Sequence, residues 1–166
     1  MRPAGTRSRT RGQALVETAL VLPVLLLILI ALFDVGRAIF AYNTATNAAR
    51  EGARLAIVNQ DVAKIQERAT GVAVNTPVVS VTVTYYKAGA STTSTADADK
   101  CLGTSGSPIV IGCVAVVQFD TSFSAITPLV GTIVGPMTMS ARSELPVEFV
   151  CPSTTIPDAN DCPKQP

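Results

Sequence analysis

The sequence predicts an α+β chain: a long N-terminal transmembrane α-helix extending outside the bilayer, a second short helix, then a small, mainly antiparallel β domain with disulfides. Three observations carry that prediction. An apolar block from Ala14 to Phe33 holds a single charge, Glu17. Beyond it the apolar residues keep a helical step as far as Asn59, then change to a period of two after Val78. All four cysteines lie in the part beyond that change. At 166 residues the chain has room for one domain with a modest core.

The first element is the membrane helix. About 20 apolar residues, rising ~1.5 Å each, cross a ~30 Å hydrocarbon core, and Ala14–Phe33 has that length, with an unbroken apolar run from Val24 to Phe33. Arg2, Arg7, Arg9 and Arg11 precede it with no acid among them. By the positive-inside rule this end stays cytoplasmic and the C-terminus goes out. The whole chain carries a net charge of +1, from 13 basic and 12 acidic residues. With those four arginines set aside, nine basic residues face twelve acidic ones. The folded part is thus mildly acidic, which argues against a basic nucleic-acid-binding domain. Asp34 and Arg37, one helical turn apart and able to pair, mark the outer edge. Pro23 removes one helical hydrogen bond, which membrane helices tolerate. Glu17 either snorkels to the headgroups or has a partner within the membrane.

Residues Arg11–Glu17 read RGQALVE: a glycine, four residues, then a glutamate, between a basic stretch and an apolar run. This resembles the leader of type IV prepilins, which a membrane aspartyl peptidase cuts after the glycine. The resemblance implies a processing site between Gly12 and Gln13, with Glu17 as fifth residue of the mature chain. A new α-amino group on Gln13 would be positive, and an acid in a neighbouring helix could neutralise it. The stretch Arg11–Arg54 also resembles the TadE-like family of Tad (tight adherence) pilus proteins. The matching features are RGQALVE, Pro23, the Asp34–Gly36–Arg37 trio, and NAAREGAR at Asn47–Arg54. It implies a minor pilin or pilus-assembly component, acting by helix packing with other pilus subunits through Glu17, Pro23, Asp34 and Arg37. The partners implied are a prepilin peptidase, other pilus subunits, the inner-membrane assembly platform and membrane lipid, with no cofactor and no nucleic acid.

Two other readings use the same N-terminus. In ordinary secretion Gly36 and Ala38 would form a small-x-small cleavage pair, against which stand Arg37 between them and an apolar block at or beyond the usual ~7–15 residues. In the other, the chain is a signal-anchored adhesion domain, not processed as a pilin, whose Ser/Thr loop or disulfide-closed tail contacts a ligand. The organisation expected is a basic cytoplasmic leader over 1–12, a transmembrane segment over 13–37, and a helical extracytoplasmic segment over 38–76. A β-rich domain over 77–150 and a proline-rich tail over 151–166 complete it.

Past the membrane, Ile39, Tyr42, Ala45, Ala49, Ala53 and Ala56 recur at three- or four-residue steps, and no proline occurs between Pro23 and Pro77. One helix from about Leu15 to Asn59 is expected, on the order of 65 Å long. Its outer half is rich in alanine, with Gly52 among them, and such small residues admit close backbones. They can receive the chain's own strands or another subunit's helix, with self-packing expected for most. Glu51 and Arg54 read as a solvated pair. Asp61 can cap a second helix carrying Val62, Ile65, Ala69 and Val72, which Gly71 and Pro77 bring to an end.

Val79, Val81, Val83 and Tyr85 alternate with Ser80, Thr82, Thr84 and Tyr86, giving a half-buried strand. Ile109–Asp120 is a second strand candidate and Met137–Phe149 a third, where Pro146 marks an edge or an end. Gly89–Pro108 reads as an exposed, mobile polar loop, and Phe123–Gly135, broken by Pro128 and Gly131, as a short helix or covering loop. Cys101, Cys113, Cys151 and Cys162 form an even set on the predicted outer side, where disulfides persist. Three pairings are open. The sequential one closes two short loops, each contributing about 2–3 kcal/mol. Zinc is disfavoured by the long spacings, the lack of C-x-x-C and the absence of histidine.

The absence of histidine also removes the commonest general base. No phosphate-cradling loop or nucleophile elbow occurs. Asp97 and Asp99 are too few for a calcium cage, and Glu144 and Glu148, four apart on a strand, have nothing beside them to support acid–base work. The expectation is a protein that is not an enzyme and has no metal site.

Overall fold

Helix α1 (Arg7–Ala56) is continuous over 50 residues and passes through Pro23 without a break. At ~1.5 Å per residue it is about 75 Å long. The computed structural model describes residues 7–101, 109–127, 131–132, 135–152 and 162, with side chains from Gly12 onward. Arg2, the side chains of Arg7, Arg9 and Arg11, Pro128, residues 102–108 of the polar loop and most of the tail lie outside the described residues. The helix starts at Arg7 rather than near Leu15. Residues 7–14 contain no proline, and a lone glycine costs a helix only ~1 kcal/mol against alanine.

It ends at Ala56 rather than Asn59, where the last turn tightens at Val58 and the Ile57 carbonyl takes partners from outside the helix. The N–H groups of Val58 and Asn59 both donate to Leu55 O, at 3.1 and 2.8 Å. The Ile57 carbonyl accepts from Glu148 N and Phe149 N at 3.1 and 3.0 Å, tying the helix end to the C-terminal strand's exit. Asn59 Oδ1 accepts from Asp61 N at 2.9 Å and turns the chain into α2 (Val62–Val72). Asp61 caps that helix by accepting from Ala63 N at 3.0 Å, which satisfies an otherwise orphaned donor. Ile65 and Ala69 are its buried face.

Three strands follow: β1 (Val78–Tyr86), β2 (Val114–Phe123) and β3 (Met137–Pro146). They form one antiparallel sheet in the order β1-β2-β3. Val83 pairs with Val117 and Val117 with Ser143, while Pro146 closes the edge strand opposite Val114. β2 begins later than Ile109 because the chain first turns at Gly112, whose φ of 93° suits a residue without Cβ. β3 stops at Pro146 rather than Phe149, since the following residues leave the sheet for the end of α1. Glu148 is therefore off the strand and does not share a face with Glu144.

The inward side chains of β2, Ala115, Val117, Phe119 and Thr121, are buried against the alanine stripe of α1: Ala41, Ala45, Ala48, Ala49, Ala53 and Ala56. Self-packing thus takes this face of the helix. Gly52 sits where α1, α2 and the sheet meet, and a Cβ there would lie 3.0 Å from Val117 Cγ1 and 3.2 Å from Ala69 Cβ. Burial raises the Tyr85 phenol above its ordinary range.

The outer face of the sheet is polar. Asp120 accepts from Ser80 Oγ and Ser140 Oγ, both at 2.6 Å, and from Gln118 Nε2 at 3.0 Å, joining all three strands. The polar loop after β1 is exposed but docked. Cys101 N returns to Tyr85 O at 2.8 Å and Lys87 N donates to Asp99 O at 2.8 Å. Thr92 Oγ1 donates to Glu144 at 3.0 Å and Arg142 donates to the Thr92 carbonyl. Over its described part the loop is exposed as expected, and its backbone also pairs with the end of β1 and with the Arg142 side chain of β3. Disulfides join Cys101 to Cys113 and Cys151 to Cys162, the sequential pairing, with Sγ–Sγ distances of 2.07 and 1.93 Å.

Candidate assembly and membrane surface

From Gly12 to Ile30 every residue of α1 is exposed, and no other described residue buries this stretch. It is the one described helix long and apolar enough to cross a membrane. An apolar rod bare of protein over this length has the form of a single-pass membrane anchor. Gly12 and Gln13 lie within its helical N-terminal part, exposed. Pro23 is exposed as well.

Glu17 lines a shallow recess with Thr18, Val21, Leu22 and Leu25. The Thr18 hydroxyl is spent on Ala14 O at 2.9 Å. Among the described residues no donor reaches the Glu17 carboxylate. A carboxylate in an apolar stripe must find water, headgroups or another chain.

Asp34 behaves differently. It is buried, and its carboxylate accepts from Ile126 N at 3.0 Å, Thr127 N at 2.8 Å and Thr127 Oγ1 at 2.5 Å. Arg37 Nη1 adds a longer contact at 3.4 Å, from a side chain that is half exposed. The expected Asp34–Arg37 pair is present, but it is the weaker part of the arrangement. Asp34 is a clamp that fixes the segment after β2 to the helix just past the apolar block. Its carboxylate oxygens accept within the chain, a role the sequence reading did not give it. Arg37 also lies over the Phe123 ring, 5.6 Å from the centroid, and with Phe40, Asn75, Pro77 and Pro136 lines a recess of about 290 Å³ between α1 and the sheet.

The clamp was not readable from sequence. A carboxylate at the hydrocarbon edge calls for donors, but which donors arrive depends on how the Ser124–Thr127 segment folds back, and Ile126 is 92 positions further along the chain. Glu51 shows the same limit: it holds Arg54 at 3.0 Å, the expected local pair, and also Arg68 of α2 at 3.1 Å. Asp97 pairs with Lys100 at 3.2 Å and Asp99 accepts from Ser94 Oγ at 2.5 Å. Among the described residues no group of three or more acids or cysteines is placed to hold a metal ion.

Residues 12–54 match the family model described as TadE-like protein. The matched stretch covers the bare span, Glu17, the Asp34–Arg37 edge and most of the alanine stripe, and stops short of α2 and the sheet. No curated protein and no solved structure matches the chain.

Proposed function

We propose that this chain, whose long helix carries a TadE-like segment, is a pilin-like minor subunit or assembly component of a Tad-type pilus. It is inserted with its basic end in the cytoplasm and its disulfide-bearing domain outside, and it joins other pilus subunits by packing along α1. The role is structural, with no catalytic step. The observation that carries the reading is the bare apolar half of α1, in which Glu17 has no partner within the described chain, inside the family-matched segment.

The rest of the molecule supports it. The inward face of the outer helix is filled by the chain's own sheet, so the surface left for another subunit lies along the membrane half and the opposite face. Two disulfides on the sheet side and four arginines on the other agree with one orientation. A prepilin peptidase would cut between Gly12 and Gln13. That bond is in the second turn of α1, where helix ends fray at little cost and can present an extended peptide. The freed Gln13 amine then meets the Glu17 carboxylate of a neighbour, a pairing in which each charge offsets the cost of removing the other from water.

Glu17→Ala tests this directly. The variant is expected to insert and form both disulfides normally, yet to lose co-purification with other pilus subunits. Co-purification at the wild-type level would remove Glu17 from assembly.

A further inference from the structure

We propose that the membrane-near rim of the outer domain, led by Ile126, seats in the lipid interface of the bilayer that α1 crosses. The idea rests on the single-pass reading of α1 and adds a second, non-helical lipid contact. The Asp34 clamp sets the level. Asp34 follows Phe33, the last residue of the apolar block, and Ile126 N is held on its carboxylate at 3.0 Å. Ile126 is therefore fixed within one hydrogen bond of the plane where the hydrocarbon-spanning run ends, and the residue is 67% exposed.

The sheet brings more apolar groups to the same end. β1 starts there with Val78 opposite Thr121, and β3 starts there with Met137 opposite Phe123. The Phe123 ring lies under Arg37, one turn beyond Asp34, which identifies this as the membrane-near end. Val78, Val79 and Met137 are all exposed. The polar residues beside them, Asn75, Ser122 and Ser124, are uncharged, and Arg37 is the basic group at that level. An apolar rim with a guanidinium and, among the described residues lining the recess beside it, no carboxylate suits the boundary of headgroups and acyl chains, where apolar groups embed by about 5–10 Å. Lipid is the occupant favoured over a second copy because the rim continues directly from the apolar span.

The chain has no tryptophan, so a single introduced one reports its own surroundings. Full-length Leu29→Trp, Ile126→Trp and Ile111→Trp are reconstituted in phosphatidylcholine–phosphatidylglycerol vesicles and quenched with chain-brominated lipid or aqueous iodide. Ile111 is exposed near the opposite end of the sheet, before the start of β2. Leu29→Trp should lose emission to brominated lipid, and Ile111→Trp to iodide alone. Ile126→Trp should follow Leu29→Trp, with blue-shifted emission and loss to lipids brominated near the headgroup. Ile126→Trp quenched by iodide alone, with Leu29→Trp still quenched by lipid, would overturn the rim contact and leave the anchor standing. Shielding from both quenchers would assign the rim to protein and also overturn it. Loss of lipid quenching at Leu29→Trp would overturn the anchor itself. If Ile126→Trp fails to form its disulfides, Val79→Trp carries the same test.

Discussion

Asp34 gathers three hydrogen bonds and a guanidinium onto one carboxylate, and it does so where water is scarce. Asp34→Ala would leave the buried Thr127 amide and the part-buried Ile126 amide without their acceptor, so the cost is that of orphaned donors rather than of one exchanged bond. A loss of about 2–3 kcal/mol is expected, read by denaturant unfolding of the detergent-solubilised chain. Asp34→Asn, which keeps one acceptor oxygen, should lose less. Asp120 works on the other side of the sheet. Burial is the largest single influence and raises its pKa, but the hydrogen bonds from Ser140, Ser80 and Gln118 together outweigh it and hold the carboxyl below its ordinary range. A carboxyl depressed in the folded state stabilises at pH above its unfolded value, about 3.9, and that contribution fades as pH falls through the lower folded value. Asp120→Asn should therefore flatten the acid limb of stability against pH below about 4, with little change in its slope near neutrality.

At the scale of elements, Gly52 decides how closely α1, α2 and the sheet approach. Its place is set by Val117 and Ala69, neither of which can retreat far: Val117 is inside the central strand and the Ala69 Cβ is fixed to α2. Gly52→Leu should lower stability by about 3 kcal/mol or more and depress the melting temperature of the outer domain, despite leucine's better helix propensity. The helices and β1 were legible because each rests on a local signal: an apolar period of 3.6, the Asp61 cap, and the alternation from Val79 to Tyr86. The ends were less legible. β2 waits for the Gly112 turn, and β3 yields at Pro146 to bonds with Ile57, a partner far away in sequence. The docking of Thr92 on Arg142 and Glu144 left no mark in a Ser/Thr-rich loop, since nothing in such a composition specifies what lies beneath it.

The whole molecule divides its single long helix between two environments. The outer half is paired with the chain's own sheet through alanines, and the inner half is bare, apolar and interrupted by one carboxylate. The anchor was legible from length and composition alone, and so was the family resemblance of positions 12–54. Glu17 has no partner among the described residues, so its role was legible only through the prepilin-like spacing from Gly12. The proposed assembly role asks that the sheet domain, fixed by Asp34 to the end of a bare rod, move from lipid into a bundle of similar rods without refolding. On the proposed pilin reading the leader is removed first, and a charged amine then faces Glu17 of a neighbour across the helix contact. Intact-mass and N-terminal analysis of the protein from cells with and without the prepilin peptidase tests this most directly. A chain beginning at Gln13, found only when the peptidase is present, is the predicted result. An uncut N-terminus in both strains, or a chain beginning near Ile39, would contradict it.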